Sequence, residues 1–193
     1  MKGNQGRIAA GIFIISIITS CVSLNVVGPG QTELDGFKVQ LLHKWSTIAP
    51  YSDDEIGILQ ITRDGLELNR VFLLRGLEDG HKILDLGFES APDFQSWMGH
   101  AKLSRFLRDN LVKLGYENIE VKQDACPFLN NAGTCYTIMA HKFNGLEISG
   151  MAIAALDDKK HLDFMMFLAP STHYFPTMRK EVEYLFETAS RLD

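Results

Sequence analysis

Basic charge is in short supply in this 193-residue chain. Its 19 Lys and Arg stand against 24 Asp and Glu, a formal net charge of −5 at pH 7. No basic stripe compensates, which excludes electrostatic binding to a nucleic-acid backbone. Cysteine is scarce at three residues, and no internal repeat or low-complexity tract occurs. The common catalytic signatures are missing as well. There is no Gly-x-Ser-x-Gly elbow, no Walker phosphate loop and no Gly-x-Gly-x-x-Gly turn. His43, His81, His100, His141, His161 and His173 stand singly, without the spacing that builds a zinc site on a helix.

What the chain does have begins at its amino end. Lys2 and Arg7 precede the apolar run Ile8 to Ile18, which ends in Ile18-Thr19-Ser20-Cys21. A basic start, a short apolar core and a small-residue cleavage site are the layout of a secretory signal peptide. The uncharged stretch from Ile8 to Gly28 also has the length of an uncleaved membrane anchor. Ser16, Thr19, Ser20, Ser23 and Asn25 dilute its second half, however, which suits a cleaved segment better. The cysteine directly after the cut resembles a bacterial lipobox. That resemblance implies removal of residues 1–20 and lipidation of Cys21. With Val22 rather than aspartate in the next position, it further implies an outer-membrane address, facing the periplasm. Two or more acyl chains hold firmly where one binds reversibly.

Loss of Lys2 and Arg7 leaves 17 basic against 24 acidic residues, a charge of −7 over 173 residues, enough for one domain. In an oxidising compartment the remaining cysteines, Cys126 and Cys135, are expected to form a disulfide at the base of the Asn130-Asn131-Ala132-Gly133 turn. Their spacing is not that of a redox pair, and too few ligands stand nearby for a metal.

Residues 21–35 carry Gly28-Pro29-Gly30 and little periodicity, so they are expected to tether a single domain spanning 36–193. Phe37, Val39 and Leu41 alternate as in a half-buried strand, and Asp64-Gly65 separates two further β-rich runs. A long helix is expected from Ser90 as N-cap through Phe94, Trp97, Met98, Ala101, Leu107, Leu111 and Leu114. Three strands follow, turning at Asn144-Gly145 and at Asp157–Lys160, and then a terminal helix through Met178, Val182, Leu185 and Phe186. The expected class is α+β: an antiparallel β-sheet meander with a long central helix and a C-terminal helix packed on it.

That element order is similar to the PsbP-like fold, an α/β/α sandwich found in photosystem-associated lumenal proteins, a Ran-binding protein and bacterial lipoproteins. The Thr62-Arg63-Asp64-Gly65 turn, with Gly76 and Asp79-Gly80 beyond it, resembles a pattern in uncharacterised proteobacterial lipoproteins. Neither resemblance brings catalytic residues.

His161 and Asp163 share a strand face by spacing but are expected at a solvated strand end. Asp53-Asp54-Glu55 is expected to be a solvated loop rather than a calcium site. Met151, Met165, Met166, Phe164 and Phe167 could line a hydrophobic ligand site, although core packing accounts for them equally. The leading expectation is a non-enzymatic lipoprotein acting as a binding or accessory module of the cell envelope. Its partners would be the membrane, through the lipid, and an envelope protein; no cofactor or metal is expected. The alternative is a small hydrophobic ligand held between helices and sheet. An enzyme would need a cleft bringing His161, His173 or His100 to a carboxylate and a nucleophile.

Overall fold

A computed structural model of the chain describes residues 24–48, 58–83, 91–125 and 133–192. Among these, eleven strands and two helices follow one another. They are β1 (Leu24–Val27), β2 (Gly30–Leu34), β3 (Phe37–Leu41), β4 (Trp45–Ile48), β5 (Leu59–Thr62) and β6 (Arg70–Leu77). Then come α1 (His100–Lys113), β7 (Tyr116–Ala125), β8 (Thr134–Lys142), β9 (Glu147–Leu156), β10 (Leu162–Pro170), α2 (Tyr174–Thr188) and β11 (Ser190–Arg191). The class is α+β. Eight strands pair antiparallel in the order β1-β4-β5-β6-β10-β9-β8-β7, and β11-β3-β2 form a second, smaller sheet.

The layering follows from alternation along the central strand. Every residue of β10 is buried. Phe164, Met166 and Leu168 point to one face, where Leu103, Phe106, Leu107 and Leu111 of α1 cover them. Met165, Phe167 and Ala169 point to the other, under Met178, Val182, Leu185 and Phe186 of α2 and under β3. Successive strand residues face opposite ways, so a strand covered on both sides is apolar throughout. The Met and Phe residues considered for a ligand site are thus divided between two cores.

Several sequence expectations need correction. The supposed tether is largely folded: β1 pairs with β4, β2 pairs with β3, and Leu34 is buried. Asp35 and Gly36, with φ of 47° and 74°, join Leu34 to its partner Phe37 as a two-residue turn of type I′. The long helix starts nine residues late, its N-cap at Gly99 instead of Ser90. Phe94 donates its N–H to the His81 carbonyl (2.7 Å) and accepts from Gly80 N–H (2.8 Å), and a turn closed by Met98 N–H on the Gln95 carbonyl (2.9 Å) follows before Gly99 caps α1. Phe94 is buried against Phe106 (6.1 Å between rings), so its apolar spacing served an extended segment as well as it would a helix. Trp97, expected on the buried face, is 64% exposed.

The turns differ too. Asn144 does not take a positive φ; Gly145 does, at 80°, and its N–H reaches the Lys142 carbonyl (2.8 Å). This is a three-residue loop with the left-handed residue last, and Asp157–Lys160 repeats it with Lys160 at φ 65°. Strands β5 and β6 do pair across Asp64-Gly65, but through the longer connection 63–69. Asn69, fully buried, knits that connection. Its Oδ1 accepts from Arg63 N–H (2.9 Å), its Nδ2 donates to Asp64 (2.9 Å), and Thr62 Oγ1 donates to its carbonyl (2.6 Å). Ser90 and Asp53-Asp54-Glu55 lie outside the described residues.

Candidate functional site

Three features combine polar or open chemistry with burial. The first is a cavity of about 270 Å³ between the start of α1 and strands β8, β9 and β10. Phe94, Met98, Leu103, Leu156 and Leu162 supply its apolar wall, with Thr134 the one polar side chain. It exists because Gly99 and the run before α1 stand off the sheet, where Ala154 offers only a methyl group. Leu156 is 37% exposed and marks the open side. Just before Met98, the exposed Trp97 ring lies under the Lys102 ammonium, 3.8 Å from Nζ to the ring centroid. Two residues along β8 from Thr134 is Tyr136, whose phenol is pushed up to about 12 by burial, so it stays protonated.

The second feature is Glu181 on α2, a buried carboxylate. Arg63 Nη1 (2.8 Å) and His43 Nδ1 (3.0 Å) meet its Oε2, and Trp45 Nε1 donates to Oε1 (3.2 Å). Both oxygens are occupied by protein donors, so the group clasps α2 to the strands below it.

The third is Asp163, the second residue of β10, 1% exposed and not solvated as expected. Opposite it, β6 bulges: Arg75 and Gly76, the latter at φ 72°, face the single residue Asp163. Asp163 accepts from Gly76 N–H (2.9 Å) and from Arg191 Nε (2.6 Å), tying the second sheet to the first. Arg75 Nη1 in turn donates to the Gly36 carbonyl (2.9 Å). Desolvation raises the neighbouring Asp35 carboxyl to about 6; a hydrogen bond from the Arg75 backbone and its charge oppose this, and the charge of Asp163 adds to it.

His161 and Asp163 do not form a pair. The His161 Nδ1 lies 3.3 Å from Asp157, one turn away in the loop. His173 stacks edge-on against Tyr174 at the far end of β10, about 30 Å along nine strand residues from His161. His100 begins α1. His161 and His173 therefore stand at opposite ends of β10. No group of three or more His, Cys, Asp or Glu side chains able to hold a metal occurs among the described residues.

Cys135 sits in β8 between Asp124 of β7 and Ile153 of β9, while Cys21 and Cys126 lie outside the described residues. No described helix is long and apolar enough to cross a membrane. Sequence reasoning missed Glu181 and Asp163 as buried charges, and Arg191 as the partner of Asp163, because their partners lie far along the chain and leave no local signal. The cavity left only one trace, the Gly99 that interrupts an otherwise helical pattern. No protein-family model and no curated protein sequence matches this chain, so its site is defined by its own geometry.

Proposed function

We propose that the chain is a lipid-anchored envelope protein, facing the periplasm from the outer membrane, whose domain is a non-enzymatic binding module. Its address rests on the run from Lys2 to Cys21. Its binding role rests on one observation, the apolar cavity of about 270 Å³ at the start of α1. That volume is nearly twice a cavity of about 150 Å³ known to admit benzene. The buried carboxylates speak for a scaffold rather than a catalyst, since Glu181 and Asp163 are engaged by protein donors. A disulfide between Cys126 and Cys135, and a layered arrangement of the PsbP-like kind, belong to the same reading.

The cavity favours a small hydrophobic ligand over a protein partner as what the module binds. Native mass spectrometry of the purified protein tests this: a retained adduct supports it, and a clean apo mass together with turnover of an envelope substrate overturns it. For the anchor, Cys21→Ala is expected to move the protein out of the membrane fraction. Unchanged partitioning would overturn the address.

A further inference from the structure

Strand register places the cavity at a particular end of the molecule. Leu24 opposes Ile48, Ile48 opposes Gln60, and Leu59 opposes Leu73, so β1 enters the sheet from the side toward which β6 runs. There Leu77 opposes Leu162, Leu162 opposes Leu156, and Ala154 opposes Thr134. Leu162, Leu156, Ala154 and Thr134 are cavity residues. Leu24 itself lies level with Phe72, Met166 and Ala152, four residues short of Leu162 and Leu156, and β1 runs away from the cavity's end of the sheet. The Phe143 hairpin tip and the start of α2 lie at the opposite end.

Only Val22 and Ser23 separate Cys21 from Leu24, a reach of about 10 Å. A lipid on Cys21 would bring this end of the sheet nearer the bilayer than the other end. The side chains there suit that position. Trp97, exposed and amphipathic, belongs at the lipid–water interface, and Lys102 above it extends its ammonium outward from an apolar stem. Lys102 has no ion-pair partner among the described residues.

Resting on the binding reading above, we propose that the cavity takes a single aliphatic chain bearing an anionic head group, drawn from the adjoining membrane, with Lys102 meeting the head group. The wall contains no charge to solvate a polar ligand, and the volume fits one short chain rather than a whole two-chain lipid. The protein's own anchor is the competing occupant: strand β1 lies four strands from β10 and five from β9, about 19 to 24 Å at the usual spacing, and the Cys21→Ala comparison separates the two.

The test uses the full chain carrying Trp45→Phe, which leaves Trp97 as the sole indole of the two. Dansyl-undecanoic acid is titrated, and energy transfer from Trp97 is read. The expected result is saturable transfer. Leu156→Arg, at a half-open wall position, should weaken it at least tenfold, and Lys102→Ala, on the exposed helix face, at least threefold. No saturable transfer, or equal affinity in Leu156→Arg, overturns the proposal. Binding seen only after Cys21→Ala also overturns it, because the anchor's own chain would then be the occupant. N-phenylnaphthylamine, uncharged and without an alkyl chain, separates the two claims. If it binds and the acid does not, the binding reading stands and the aliphatic ligand falls; if neither binds, both fall.

Discussion

Gly150 is the position where the core leaves least room. It lies on β9 between β8 and β10, and an added Cβ would stand 2.5 Å from Leu168 Cδ2 and 2.8 Å from the Phe167 carbonyl oxygen. The side-chain methyl could swing away, but the backbone oxygen belongs to the best-paired strand in the sheet. Gly150→Ala is therefore expected to cost about 1 to 3 kcal/mol, an overpacking effect, read as a lowered urea midpoint with unchanged slope. Asp35 sits at the other extreme, exposed at the tip of a type I′ turn yet desolvated enough to titrate near 6. Its carboxyl is raised above the ordinary 3.8, so folding favours the protonated form. The associated stability is complete below pH 3.8 and is lost as pH rises through about 6. Asp35→Asn should flatten the decline across that window. Because solvent reaches the group, the gain at pH 7 should stay below about 1 kcal/mol, measured by denaturant unfolding at pH 4 and pH 7.

Among elements, β11 has an influence out of proportion to its two residues. Ser190 and Arg191 pair with Lys38 and Phe37, and Arg191 neutralises the buried Asp163. Arg191→Ala should therefore leave a carboxylate at 1% exposure with only the Gly76 N–H, at a cost of about 2 to 3 kcal/mol given that Arg191 itself is partly exposed. Adding Asp163→Asn should recover part of that loss. Additive losses in a thermal-melting double-mutant cycle would show that the pair is not coupled. This same bulge explains why Gly76 was legible only as punctuation. A glycine within a strand pattern signals a bulge, but nothing local says that its freed N–H will be met by an aspartate 87 residues away. Strands with one or two clean apolar faces, such as Phe37-Val39-Leu41 and β10, were readable from periodicity. The start of α1 was not, because Ser90, Pro92 and Phe94 imitate a capped amphipathic helix while the backbone at Phe94 pairs with His81. Likewise Asp35-Gly36, the one turn of type I′ among the expected and observed two-residue candidates, was hidden by the tether reading of the residues before it.

At the scale of the molecule, that hidden amino-terminal part decides how much chain the domain needs. Val27 packs on the α2-side core, Leu34 is buried in it, and β2 supplies the outer strand of the second sheet. A chain beginning at Phe37 should lose β1 and β2 together and with them the covering of β3 and β4. Near-UV circular dichroism should show loss of fixed aromatic packing around Trp45, whereas a true tether could be removed without change.

The pairing of Ser190 with Lys38 joins residues 152 positions apart. Closure between such distant segments is slow, since a long loop must be ordered before the contact rewards it. The smaller sheet is consequently completed by β11 only after almost the whole polypeptide is available. If the chain is exported as proposed above, such late locking would keep it pliable until its last residues have passed the translocation channel.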